Sequence, residues 1–524
     1  MTTGMTAMMV GGRTERTTWA VGGLGIAAGL SLVKLAIHLA TTGTFGYEYF
    51  IDELYFLDCA KHLDWGYVDL PPLFPALTAA WIGVFGESLL AIRIVPALAG
   101  AALVLLTGLL VRELGGGRLA QALAALGVVF APIYLVMSSL HTMNALEPLF
   151  WMGAALVLVK LIKGADPRLW LVFGLLSGLG LLNKHSMALF GASVVVGLVL
   201  TRERRVFRER WIWLGAAVAL LVFLPNLVWL VQHRFPHLEM LANIERNGRN
   251  VALSPLAFLG QQVLFLNPIA LPLWLGGLGY LLFHREGRRF RVLGLTYLGV
   301  LGLLLLLHGR VYYLAPAYAM LFAAGGVAFE RWFATRTLVP AAYAFLIVLS
   351  GAVLAPLMLP CLPPETFIRY TRLIGLEQPR IETHRLGPLP QLHADRFGWK
   401  EMADEVARVY RSLPAAGRSK VAIFGQNYGQ AGAINHYGPA LGLPPALSGH
   451  LTHWYWGPRD YTGEVMIVLD DSRETLETLF ESVELAGHVT HRYSMPYERF
   501  DIHVCRRPKA GSLRDLWPRV KEWD

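Results

Sequence analysis

Two neighbouring stretches near the start of the chain concentrate the side chains able to move a proton. The first is Tyr47-Glu48-Tyr49-Phe50-Ile51-Asp52-Glu53-Leu54-Tyr55. The second is His62-Leu63-Asp64-Trp65-Gly66-Tyr67-Val68-Asp69-Leu70-Pro71-Pro72-Leu73. Residues 41–87 carry seven acids against one lysine. A carboxylate held beside a hydroxyl takes its proton as the hydroxyl attacks, which is general-base work. Tyr55, Trp65 and Tyr67 interleave with the acids and offer flat faces for a sugar ring. A solvated negative loop would explain the charge by itself. Asp52 and Glu53 nevertheless adjoin apolar and aromatic residues, not a Ser/Gly linker, which favours function.

The elements that must hold these acids are membrane spans. The chain has 524 residues, of which 55% are hydrophobic and 16% charged, with a mean hydropathy of +0.46. A soluble chain carries about 25% charge. Apolar stretches of span length recur through the first two thirds, so a water-soluble enzyme, a disordered chain and a nucleic-acid binder are all poor fits. Eleven spans are expected, near 19–40, 88–111, 119–137, 148–163, 169–182, 186–201, 211–232, 258–283, 292–307, 311–329 and 337–359. The first has a signal-peptide-like apolar core, but it is long and carries Lys34 and His38, so it is read as uncleaved. Lys184 separates the two shortest spans, and a single broken helix there would change the parity.

Charge decides the orientation. The net charge is +9. Segments 1–18, 112–118, 160–168, 202–210, 284–291 and 330–336 are each net positive, and the alternate segments sum to a negative value. Arg202, Arg204, Arg205, Arg208 and Arg210 form the strongest cluster, with Arg285, Arg288, Arg289 and Arg291 next. Both belong in the cytoplasm. Eleven spans put them with the N-terminus inside and leave loop 41–87 and the tail 361–524 outside. The basic excess thus sets topology and implies no nucleic-acid partner.

Loop 41–87 is too long for a simple connection and predicts short amphipathic helices at the membrane surface. The tail has soluble patterning, with a helix over 399–413, strands at 420–424, 465–469 and 500–505, and a helix over 472–485. The fold class is therefore mainly α. A polytopic helical bundle over 1–360, with about eleven spans, carries a small extracytoplasmic α/β domain over 361–524. Gly425-Gln-Asn-Tyr-Gly429 lacks the third glycine and distal acid of a dinucleotide fingerprint. Cys59, Cys361 and Cys505 form no disulfide framework, and buried free thiols are expected.

The serial order of the motifs resembles that of GT-C glycosyltransferases. It is nearest the bacterial families related to dolichyl-phosphate-mannose–protein mannosyltransferases and aminoarabinose transferases. The Asp52-Glu53 pair followed by Tyr67-x-Asp69-x-Pro71-Pro72-Leu73 is similar to their first outside loop. Asn144-Ala-Leu-Glu147-Pro148 resembles the second, where an Asp is more usual. Leu182-Asn-Lys184-His185 resembles a lysine-bearing break, and Leu224-Pro-Asn226 with Gln232-His233-Arg234-Phe-Pro-His237-Leu-Glu239 resembles the large middle loop. His308-Gly-Arg310-Val-Tyr312-Tyr313 resembles a late Arg–Tyr–Tyr motif. Asn427-Tyr-Gly-Gln-Ala-Gly432 with Tyr437-Gly-Pro439 looks like a C-terminal domain of some bacterial members. The likeness spans roughly residues 20–460.

The resemblance implies transfer of a sugar from a polyprenyl-phosphate donor to an acceptor hydroxyl on the outer face of a bacterial inner membrane, with inversion. The acceptor would be a glycolipid, a glycan or a protein. By family position Asp52 is the base, and Glu53 orients or binds acceptor or donor. The leaving lipid phosphate needs cations and donors, which Lys184, His185, Arg310, Tyr312 and Tyr313 could supply. Tyr55, His62, Asp64, Tyr67, Asp69 and Glu147 would line or support the substrate site. His233, His237 and Glu239 could bind a divalent metal as some relatives do, although their spacing is not a zinc-helix signature. No other cofactor is implied. A transporter or flippase would favour inverted repeats and mid-span polar residues, and the chain has no repeat. A non-catalytic assembly protein would not need an acidic loop with Lys184 and Arg310 on the same side.

Overall fold

The computed structural model describes residues 11–251, 253–336, 338–376, 380 and 382–524, with side chains from residue 25 onward. The membrane part begins with α1 (Gly11–Thr41), α2 (Ile51–Lys61), α3 (Leu73–Phe85), α4 (Leu89–Glu113), α5 (Arg118–Val129) and α6 (Pro132–Met137). It continues through α7 (Glu147–Ile162), α8 (Leu169–Asn183), α9 (Met187–Val199), α10 (Arg210–Gln232), α11 (Pro236–Arg246) and α12 (Pro255–Phe265). It ends with α13 (Leu271–Phe283), α14 (Arg291–Leu306), α15 (Ala315–Trp332) and α16 (Leu338–Met358).

Every expected span lies on helix where it is described, although several of these helices are short or broken. Among the described residues six helical stretches are long and apolar enough to cross a bilayer, beginning at Leu89, Met143, Arg210, Gly287, Val311 and Leu338. The expected span 258–283 is instead two helices bent by 101°. Asn267 makes the break. Its φ is +71°, Pro268 follows, and its side chain is tied to α16 through Ile347 O at 3.0 Å and Ser350 Oγ at 2.8 Å. The expected span 119–137 divides at Phe130–Ala131, just before Pro132. The pair over 169–201 is two helices. α8 packs on α7 and α10, whereas α9 packs on α14, and Lys184 between them is extended.

The centre of the bundle is α15. Residues 315–329 are all buried, as a helix apolar on every side must be, and its Ala and Gly residues let α5 and α13 approach closely. Its N-terminus follows the Arg310-Val-Tyr312-Tyr313 turn, so the central helix delivers that motif to one end of the bundle.

The tail runs through α17 (Pro364–Ile374), α18 (Gln391–Ala394), α19 (Trp399–Ser412), β1 (Val421–Phe424), α20 (Tyr428–Leu441), α21 (His453–Trp456), β2 (Val465–Leu469), α22 (Arg473–Leu479), β3 (Phe480–Val489) and β4 (Phe500–Pro508). The sheet order is β1-β2-β4-β3, with β1 parallel to β2 and the other pairs antiparallel. The helix expected over 472–485 ends at Leu479. Leu476, Leu479, Phe480 and Val483 have helical spacing, but β4 offers a strand edge, and pairing from Phe480↔Pro508 to Val489↔Phe500 prevails over the local pattern. The short helices expected in loop 41–87 are α2 and α3. α2 joins the tail core, where Ile51, Leu54 and Leu57 pack with Trp399, Val406, Ile423, Ile434 and Ile467. All three cysteines are free thiols, and Cys361 alone is not buried.

Candidate functional site

α2 starts where Phe50 is extended and Glu53, three residues on, accepts a hydrogen bond from Phe50 N at 2.8 Å. Adjacent helix positions point about 100° apart, and this separates the two acids. Glu53 turns inward and is fully buried. It also accepts from Arg93 Nε at 3.0 Å, Arg93 Nη2 at 2.8 Å and His141 N at 2.9 Å. Four donors use the four lone-pair sites of a carboxylate. Glu53 is thus a buried clamp joining α2, α4 and the segment before α7, in place of the open carboxylate the sequence led us to expect.

Asp52 turns the other way and stays partly exposed. Its Oδ1 accepts from Tyr428 Oη at 2.8 Å, and among the described residues none donates to Oδ2. Burial raises its carboxyl to about 6 against the pull of Tyr428. Glu382 raises it further, while Arg310 and Arg249 lower it, so these three charges face Asp52.

The cations gather beside it. Arg310 donates through Nε and Nη2 to Asn250 Oδ1 at 3.1 and 2.8 Å, and through Nη2 to Glu382 Oε1 at 3.0 Å. Arg249 lies 3.5 Å from the same carboxylate. Tyr312 and Tyr313 follow Arg310, and the ammonium of Lys184 stands 4.3 Å from the Tyr313 ring and 5.3 Å from the Tyr312 ring. Lys184 donates to Asn144 Oδ1 at 2.6 Å and Glu147 Oε2 at 3.0 Å, and Ser186 donates to Glu147 Oε1. Glu147 is thus the buried counter-ion of Lys184. The N-termini of α7, α9 and α15 meet here, and helix N-termini favour an anion.

The remaining candidates divide. Tyr55 donates to Asp69 Oδ1 at 2.6 Å, and burial raises the Asp69 carboxyl to about 7 in sight of Asp52. The structure thus places Asp69 on the same side of the loop as Asp52. Tyr67 is buried with its hydroxyl on the carbonyls of Cys59 and His62, both at 3.2 Å, so it ties the loop together. Asp64 accepts from Trp65 N at 2.6 Å and Trp229 Nε1 at 2.9 Å, anchoring the loop to α10. His62 stacks on Trp456 at 4.1 Å. His185 contacts Asn226 Oδ1 at 3.1 Å, and burial lowers it to about 4, so at neutral pH it is uncharged and adds no cation for phosphate.

His233, His237 and Glu239 do not form a metal cradle. His233 stacks on Trp229 at 3.9 Å with Nδ1 on Trp229 O, His237 lies against His185, and Glu239 pairs with Lys521 at 2.7 Å. Among the described residues no group of three His, Cys, Asp or Glu is placed to hold a metal.

Sequence reasoning missed Arg249, Glu382, Arg93 and Tyr428. Arg93 had a signal, as an arginine inside an apolar stretch that needs a buried acid. Tyr428 lies 376 residues from Asp52, and nothing local marks it.

Residues 69–229 match the family model described as dolichyl-phosphate-mannose-protein mannosyltransferase. No curated protein matches the chain. Among solved structures it is similar to ArnT from Cupriavidus metallidurans bound to undecaprenyl phosphate, with 16% identity, a TM-score of 0.57, and coverage of 93% of this chain and 98% of that one. The apo state of the same protein gives 14% identity, a TM-score of 0.57 and the same coverage. The chain is therefore a multi-pass membrane protein with the GT-C fold, as the motif order implied.

Proposed function

We propose that the chain is an integral-membrane glycosyltransferase that moves a sugar from a polyprenyl-phosphate donor to an acceptor hydroxyl. Residues 1–360 are the membrane domain, and 361–524 are an extracytoplasmic domain that closes over the site. The observation that carries this reading is the convergence of Asp52 with Arg249, Arg310 and, through the Tyr312–Tyr313 pair, Lys184 at one end of the bundle.

The reaction is a single displacement with inversion. Asp52 Oδ2 takes the acceptor proton as the acceptor oxygen bonds to the anomeric carbon. The bond from that carbon to the lipid phosphate oxygen breaks, and its electron pair leaves with the phosphate. Arg310, Arg249 and Lys184 hold that phosphate at the N-terminus of α15. The undecaprenyl phosphate bound by the similar ArnT structure supports a polyprenyl phosphate as the lipid. Basic inter-span segments on the opposite side support an extracytoplasmic site in a bacterial inner membrane.

The test is release of polyprenyl phosphate when purified protein meets labelled polyprenyl-phosphate sugar and an envelope extract. Asp52→Asn should abolish release and retain donor-lipid binding. Full turnover in that variant would end the assignment of the base.

A further inference from the structure

The base is held by the tail. Tyr428 is the first residue of α20, which Asn427 caps by accepting from Gln430 N at 2.9 Å. Asn427 is itself fixed by Glu498 at 2.9 Å. The Tyr428 amide donates to His450 Nδ1 at 3.3 Å, and its ring sits 5.0 Å from both Tyr55 and His450. The ring therefore has little freedom. The helix itself is pressed onto α2. A Cβ on Gly429 would lie 2.4 Å from Ile51 Cγ1, and one on Gly432 would lie 3.0 Å from the Leu54 carbonyl carbon. Contacts this short admit no side chain at either position without movement. They bring the Tyr428 hydroxyl onto Asp52 from across the interface between the tail and the membrane part.

We propose that Tyr428 is a positioning residue for the transfer reaction. It holds one oxygen of Asp52 so that the other faces the acceptor hydroxyl, which makes the tail domain part of the catalytic site. This rests on the reading of Asp52 as the base. A donor on Oδ1 stabilises the carboxylate over the carboxylic acid. The other charges facing Asp52 are Asp69 from its own loop, Arg249 before α12, Arg310 before α15, and Glu382 and Asp395 from the tail. Tyr428→Phe leaves all of these in place and keeps the ring packing, so it removes the hydroxyl alone.

The experiment is the pH dependence of turnover for the full-length wild type, Tyr428→Phe and Asp52→Asn, with the donor KM measured in parallel. Losing a hydrogen bond to a charged group should move the rising limb of Tyr428→Phe upward by about one pH unit. Turnover should recover at alkaline pH, and the donor KM should stay unchanged. A Tyr428→Phe profile that superimposes on the wild type overturns the proposal, and so does one lowered equally at every pH. Asp52→Asn separates the two ideas. If it is inactive at every pH while Tyr428→Phe matches the wild type, only the tyrosine role fails. If Asp52→Asn turns over normally, the base assignment fails and the tyrosine role goes with it.

Discussion

Glu53 and Asp52 are neighbours in sequence with opposite surroundings, and the proposal that they have different tasks is tested most sharply by replacing Glu53. Glu53→Gln keeps the shape and removes the charge. The wild-type carboxylate accepts four hydrogen bonds, two of them from Arg93, and both side chains of the pair are almost wholly buried. Hydrogen bonds to charged groups contribute about 1.5–3 kcal/mol each. Removing a buried charge offsets several kcal/mol of that sum, because its desolvation is no longer needed. What remains is dominated by Arg93 left buried without a counter-ion. Breaking one side of such a pair costs about 3–5 kcal/mol. For a chain of this length that lowers the thermal midpoint by on the order of 5 °C. The assay is a thermal melt of the detergent-purified protein, run on Glu53→Gln, Arg93→Met and the double variant. The double variant should melt above Glu53→Gln, since it no longer buries a lone guanidinium. At temperatures where Glu53→Gln stays folded, its donor binding should be normal. A variant with the wild-type midpoint and lost turnover would refute the clamp and restore Glu53 to the chemistry.

Two further outcomes follow from the charges around Asp52. As the proposed base Asp52 works when ionised, and burial raises its carboxyl to about 6, so turnover should fall about tenfold per pH unit below that point and level off above it; a flat rate down to pH 4 would count against Asp52. Arg310→Ala should weaken polyprenyl-phosphate binding roughly tenfold or more, whereas Glu382→Gln should tighten it severalfold, because Glu382 now neutralises Arg310 and Arg249; equal affinities in direct lipid-binding measurements would remove the phosphate site from this cluster.

The spans were legible because lipid leaves a chain few options. A bilayer demands long apolar helices, and only such helices satisfy their own backbone there. Averaged hydropathy hid the places where helices break. Asn267-Pro268 sits in an apolar run, and the bend depends on contacts from Asn267 to Ile347 and Ser350, 80 and 83 residues away. The strand β3 was hidden for a similar reason, because only the free edge of β4 makes 480–489 extended.

The site was legible as a set of charges and illegible as a set of pairs. Asp52, Lys184 and Arg310 stood out because ionised groups at a membrane edge are costly and must be used or matched. Which of Asp52 and Glu53 would be free depended on Arg93, since an inward guanidinium takes one acid of the pair and leaves the other. Arg93 was visible as an anomaly inside an apolar stretch, yet its partner was not. The same logic extends across the molecule. Ile51, Leu54 and Leu57 give α2 an apolar face that loop 41–87 cannot cover, and the tail core covers it. The face that docks the tail therefore also fixes the direction in which Asp52 points, so the packing of the tail and the placement of the Asp52 carboxylate are one physical event.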